Sequence, residues 1–210
     1  VAESTRAADM MMKQFGITSD EAYNLIAQGA QNGLNKNDNL LDSINEYSVH
    51  FQQLGFDADE MFNMFANGAE TGVFDIDKLG DAVKEFGIRV KDGTADDAFG
   101  ELGLNAGQLK QAFTEGGESA KEAFTQVNQA LADCDDKVLQ NQIGVTMYGT
   151  MWEDMGAEAV KALSDTNGEF DKTSDNLDKI KEIKYDDLGS ALSGIGRQIE
   201  TGLIIPIGEK

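Results

Sequence analysis

Few residues in this sequence have the type and spacing to do chemistry. The segment Asp165-Thr166-Asn167-Gly168-Glu169-Phe170-Asp171 spaces its side-chain oxygens like a calcium loop. An EF-hand loop needs glycine at its sixth position for a sharp turn and a bidentate Glu at its twelfth. Counted from Asp165, those positions hold Phe170 and Asn176. The segment therefore reads as a loop that caps the next helix, and no metal ligand is assigned. Trp152-Glu153-Asp154 sets two carboxylates beside the only tryptophan. A glycosidase needs two carboxylates that flank one bond. On a helix adjacent side chains diverge by about 100°, so Glu153 and Asp154 do not share a target, and no catalytic residue is assigned.

The single histidine, His50, lies between Tyr47 and Phe51, one step off an apolar stripe, and reads as a boundary residue rather than a ligand. The single cysteine sits in Asp133-Cys134-Asp135-Asp136, where flanking carboxylates disfavour the thiolate and with it nucleophilic reactivity. One cysteine excludes an internal disulfide and any multi-thiolate zinc or iron-sulfur site. One histidine excludes a multi-histidine cage and leaves one base for a Ser-His-Asp triad. Met10-Met11-Met12 and the pair Met61/Met64 stand at helical spacing, the pattern of gap-filling core more than of an adaptable binding surface. The expectation is a chain that is not an enzyme and has no cofactor.

Those residues must be positioned by a chain of 210 residues, enough to bury roughly 70% of its unfolded surface in one domain or two small ones. Seventeen Lys+Arg against thirty-eight Asp+Glu give a net charge of −21. Such a surface repels a phosphate backbone or an anionic membrane, so neither nucleic-acid binding nor membrane contact is expected of this segment. The longest apolar run, Leu203-Ile204-Ile205-Pro206-Ile207, is far short of the ~20 residues of a membrane helix. The chain starts Val1-Ala2-Glu3 and ends just after that run, and reads as an excerpt of a longer protein.

Residues 18–47 lie over residues 57–86 at a constant offset of 39. Identical pairs include Asp20/Asp59, Asn24/Asn63, Gly29/Gly68, Gly33/Gly72, Leu40/Leu79 and Glu46/Glu85. A fainter third copy begins at Asn105, where Gly103-Leu104-Asn105-Ala106 lies over Gly55-Phe56-Asp57-Ala58 at an offset of 48. Each copy opens on a capping oxygen three residues ahead of a side chain that can reach back: Thr18…Glu21, Asp57…Glu60 and Asn105…Gln108. Apolar residues then recur at three and four, and Gly33 and Gly72 fall where a left-handed residue stops a helix. A second helix carries Leu40, Ile44, Tyr47, Phe51 or Leu79, Val83, Phe86. The unit is a helical hairpin of about 39 residues. The same period continues behind the capping box Ser119…Glu122, through Val160 and Leu163, and through Leu188, Leu192, Ile195, Ile199 and Leu203. The fold class is all-α: repeated hairpins forming a compact helical domain over residues 1–166, then a hinge and a C-terminal amphipathic helix over 167–210, with the boundary near Asn167.

Three stretches resemble a known family: residues 79–89, Leu-Gly-Asp-Ala-Val-Lys-Glu-Phe-Gly-Ile-Arg; Asn141-Gln142-Ile143-Gly144-Val145 through Gly149-Thr150-Met151-Trp152-Glu153-Asp154; and Ile205-Pro206-Ile207-Gly208-Glu209-Lys210. Together they resemble the tail tape measure proteins of tailed bacteriophages and prophages. The middle stretch, with Asn141, Gly144, Gly149, Thr150, Trp152, Glu153 and Asp154, is the most specific part. The resemblance implies a virion protein of the tail lumen, present in the host bacterial cytoplasm during assembly, that sets tail length and takes part in DNA delivery. It also implies partners: other copies of itself and tail-tube or tail-assembly proteins. The readings left beside it are a non-viral helical interaction module, a calcium-binding helical domain and a cell-wall hydrolase. Tape measures are pictured as long extended helices, whereas these hairpins read as a globular module.

Overall fold

Capping chemistry sets where the repeated helices begin. Thr18 and Asp57 each accept from the backbone N–H three residues on, and Glu21 and Glu60 reach back to the cap N–H, so both capping boxes form. The computed structural model describes residues 2–73 and 75–173. Among these there are ten helices and no strand: α1 Ala2–Phe15, α2 Ser19–Gln31, α3 Leu40–Gln53, α4 Ala58–Glu70, α5 Ile76–Lys91, α6 Asp96–Glu101, α7 Ala106–Glu115, α8 Gly117–Ala132, α9 Lys137–Tyr148 and α10 Met151–Ala162. None of them is long and apolar enough to cross a membrane.

The bounds of α2 and α4 coincide at the offset of 39. Gly33 stops α2 at φ 78°, in the left-handed region that an L side chain rarely adopts. Its N–H donates to Ala30 O (3.3 Å) and the Leu34 N–H to Gly29 O (2.9 Å), the paired bonds of a Schellman motif. The same pair closes α3 around Gly55 and α6 around Gly103. At Gly55 a close approach adds to the backbone requirement, because a Cβ there would lie 1.9 Å from Gly117 O.

Within each hairpin the repeated glycine receives the repeated leucine. A Cβ on Gly29 would lie 3.2 Å from Leu40 Cδ2, and one on Gly68 2.7 Å from Leu79 Cδ2. α3 lies between α1 and α5, and α5 in turn packs against α7, α9 and α10. The core joins the two halves through rings. Phe51 sits 5.2 Å from Phe65 and 6.3 Å from Phe56; Phe56 is 5.4 Å from Phe124; Phe86 is 4.9 Å from Phe124, 5.6 Å from Phe113 and 5.5 Å from Tyr148. Most of these pairs are edge-on, a geometry that adds roughly 0.5–1.5 kcal/mol per pair to their burial.

Three expectations are refined. The helix behind Ser119…Glu122 begins earlier, at Gly117, with Gly116 as both its N-cap and the end of α7. The third copy keeps its first helix, α7, capped by Asn105, and its larger offset reflects the insertion of α6. α10 is broken at Gly156 (φ 72°, ψ 179°). Of the methionines, Met11, Met61 and Met64 are fully buried, while Met12 is 37% exposed. The C-terminal amphipathic helix, with Leu188, Leu192, Ile195, Ile199 and Leu203, lies outside the described residues.

Two glycines of α5 separate packing from propensity. A Cβ on Gly80 would lie 2.1 Å from the Tyr47 ring, whereas one on Gly87 meets nothing within 4 Å. Gly80→Ala is expected to destabilise by about 1–3 kcal/mol through overpacking. Gly87→Ala is expected to stabilise by about 0.5–1 kcal/mol through helix propensity. Denaturant unfolding of both variants checks the pair.

Candidate functional site

Two places gather the residues singled out above. The first is the junction of α9 and α10. Gly149 ends α9 at φ 59°, and Thr150 opens α10 without a side-chain capping bond. The turn lays Trp152 back over α9, where it is 4% exposed. Its indole N–H donates to Asn141 Oδ1 (3.0 Å), and its ring covers Gly144, whose added Cβ would lie 2.1 Å from Trp152 Cδ2. Asn141, Gly144 and Trp152 thus form one contact. Asp154 ties α10 to α5 through Lys78 Nζ (2.5 Å), and Glu153 is exposed. Arg89 of α5 stands against Gly149, donates to Thr146 O (3.4 Å) and pairs with Glu85 (3.2 Å). The stretches 79–89 and 141–154 are therefore neighbours in space as well as in resemblance.

Behind this junction Tyr148 is fully buried and its hydroxyl donates to Asn128 Oδ1. Burial pushes the phenol well above its ordinary range, so it acts as a neutral hydrogen-bond donor. The sequence reading missed Asn128. Its signal is a polar residue beside an apolar stripe, Phe124, Val127 and Leu131.

The second place is a strap. Residues 165–172 cross α2 and α4, held by side chains that occupy matching positions in the two copies. Gln28 donates to Asp171 O (2.7 Å) and accepts from Asp171 N (3.1 Å), while Asn67, its counterpart, donates to Asp165 O (2.7 Å) and Asn167 O (3.0 Å). Asn63 donates to Thr166 O (3.1 Å) and accepts from Phe170 N (3.1 Å), and its counterpart Asn24 donates to Lys172 O (3.5 Å). Asp59 accepts from both Lys172 N (2.7 Å) and Lys172 Nζ (2.6 Å), which holds the ammonium above its usual range. Phe170 packs 5.5 Å from Phe62. Beside the strap is a cleft of about 550 Å³ whose lining includes Asn32, Lys36, Asn67, Glu70 and Phe170.

The calcium-like oxygens are engaged locally. Asp165 Oδ1 accepts from Asn167 N (3.0 Å) and Nδ2 (2.8 Å), and Asp171 Oδ1 from Thr173 N (2.8 Å) and Oγ1 (2.6 Å). His50 is half-buried, and burial followed by the charges of Lys84 and Lys91 holds its imidazole below the usual range. Cys134 is part-exposed with its thiol 3.5 Å from Asp136 O. Among the described residues no group of three or more His, Cys, Asp or Glu side chains is placed to hold a metal ion.

The junction behaves as packing. Trp152→Ala is expected to cost roughly 3–5 kcal/mol. Trp152→Phe, which removes the donor to Asn141, should cost about 1 kcal/mol for the hydrogen bond in addition to the lost ring volume. Glu153→Gln should stay within about 0.5 kcal/mol of the parent. Thermal and denaturant unfolding of the three variants measures this order.

The sequence matches the family described as phage-related minor tail protein over residues 1–149. It is 36% identical over 215 residues to the protein named "Probable tape measure protein" of Streptomyces phage phiC31, a match that takes in 99% of this chain. The chain spans 29% of that relative's length. No solved structure matches it. The chain belongs to the phage-related minor tail protein family.

Proposed function

We propose that this chain is a folded structural module of a tape measure protein, working in tail-length determination, tail assembly and DNA delivery through the tube. The observation that carries the reading is the likeness to a named tape measure protein across 99% of the chain. The non-viral interaction module does not stand beside that family membership. The proposed location is the lumen of the virion tail, with the host bacterial cytoplasm as the place of assembly. The proposed partners are other copies of the chain and tail-tube or tail-assembly proteins.

Charge supports the reading. With a net charge of −21, the module does not gather phosphate, which suits a protein that must leave the tube ahead of DNA. A purely structural role is also proposed. In its support, Asp154 is paired with Lys78 while Glu153 is exposed, so the two carboxylates beside Trp152 do not act on one bond. The motif residues Asn141, Gly144, Gly149, Thr150, Trp152, Glu153 and Asp154 are proposed to be structural. A division near Asn167 is likewise proposed, with the bonds of residues 165–172 to α2 and α4 acting as a clasp between the body and the chain beyond it.

Deletion of residues 18–56, one 39-residue unit, separates a folded module from an extended tape. One continuous helix loses about 58 Å at ~1.5 Å per residue. The expected outcome in electron micrographs of virions carrying the deletion is a much smaller change in tail length, with fewer assembled tails. A tail shortened by the full helical amount would contradict the proposal.

A further inference from the structure

The register that relates the two hairpins also runs backward into α1. At the offset of 39, Phe15-Gly16-Ile17-Thr18 lies over Leu54-Gly55-Phe56-Asp57, and Gly16 and Gly55 both take positive φ, 68° and 87°. Six of the seven buried residues of α3, Leu40, Leu41, Ser43, Ile44, Tyr47 and Phe51, fall on buried residues of α5, Leu79, Gly80, Ala82, Val83, Phe86 and Val90, while Ser48 falls on the half-buried Gly87. Of the four buried residues of α1, Ser4 and Ala8 take the places of the buried Ser43 and Tyr47, while Ala7 and Met11 take those of Glu46 and His50 on the side of α3 that meets α5. α1 packs on α3 as α3 packs on α5. α1 therefore occupies the place of the second helix of a hairpin unit.

In α5 the face that receives α3 has three features. Gly80 lies under the Tyr47 ring, Lys84 Nζ donates to Glu46 Oε1 (2.8 Å), and Lys91 Nζ donates to Gln53 Oε1 (2.6 Å). The same positions in α1 hold Ala2, Arg6 and Lys13, and all three are exposed. A small residue and two cations are thus shared by α5 and α1, in a chain with only seventeen cations against thirty-eight acids, while α3 holds Leu41, Asn45 and Gln52 at the same positions. We propose that the outward face of α1 docks the second helix of a further 39-residue unit, supplied by the longer protein ahead of residue 1. That helix carries a carboxylate opposite Arg6, as Glu46 stands opposite Lys84, and an oxygen acceptor opposite Lys13.

A second copy of this chain is the poorer occupant. Its helices in this register already use the face in question: Ala8 and Met11 of α1 are buried, Glu46 and Tyr47 of α3 meet α5, and Phe86 and Arg89 of α5 meet Tyr148 and Thr146 of α9. The relative from phage phiC31, of which this chain spans 29%, is long enough to hold further units.

Carbodiimide cross-linking of the full-length protein carrying Arg6→Lys tests the proposal, with the chain prepared as an equal mixture of light and heavy nitrogen isotopes. The Lys84–Glu46 pair, already 2.8 Å apart, is the internal standard. The expected result is a new cross-link from position 6 to an Asp or Glu ahead of residue 1, within a glycine-stopped helix in the 39-residue register, joining peptides of the same isotope only. A cross-link between light and heavy peptides would assign the face to a second copy and overturn the proposal. Formation of the Lys84–Glu46 link with none at position 6 would overturn it as well. Restoring Arg6 should abolish the new link, because a guanidinium does not react.

Discussion

A helix cannot run on through a residue held at left-handed φ, and this constraint shapes everything else in the chain. Gly33, Gly55 and Gly103 each end a helix with the paired backbone bonds of a Schellman turn. The chain is thereby forced back on itself, and stripes that a single long helix would leave in water must bury one another. That is why the hairpin, rather than the helix, is the repeated unit. Close approach follows from the same composition. Leu40 and Leu79 settle on Gly29 and Gly68, Tyr47 settles on Gly80, and Trp152 settles on Gly144. Glycine costs helix propensity at such places, and here the cost is offset by the burial of a large side chain on the bare backbone.

Electrostatics works against this compactness and is managed locally. A net charge of −21 repels itself, yet several lysines join separate elements. Lys78 reaches Asp154, Lys121 reaches Glu60, Lys84 reaches Glu46 and Lys172 reaches Asp59. Each pair is partly exposed, so each contributes on the order of 0–1 kcal/mol and weakens with salt. Their larger effect is on register, since each fixes which helix faces which. A chain with so large an excess of carboxylates is in keeping with the tail function proposed above.

Local rules were the most legible part of the sequence. Capping boxes at Thr18 and Asp57 depend on residues three apart, and both form as read. The 39-residue repeat was visible because identical residues have identical packing duties, as Gly29/Gly68 and Leu40/Leu79 illustrate. Ser119…Glu122 misled because it has the spacing of a capping box, while the start of α8 is set by the glycines at 116 and 117. The strap had no local signature. Its polar residues read as a hinge, and what holds residues 165–172 is amide side chains more than ninety residues away in sequence. The matched pairs Asn24/Asn63 and Asp20/Asp59 were its traces, legible as repeats but not as duties. The Asn141–Gly144–Trp152 contact was seen only as a resemblance, because nothing in spacing alone says that a tryptophan will fold back onto a glycine eight residues earlier.

The account stands on folded hairpins in place of an extended helix, and small-angle X-ray scattering of the chain in solution measures that difference directly. A compact chain of this length has a radius of gyration of about 17 Å. A continuous helix of the same 210 residues would reach about 315 Å end to end, with a radius of gyration several times larger. The account predicts a value several-fold below that of the rod, with the main peak of the distance distribution at the dimensions of the folded hairpins of residues 2–173. A rod-like distribution extending beyond ~200 Å would contradict it.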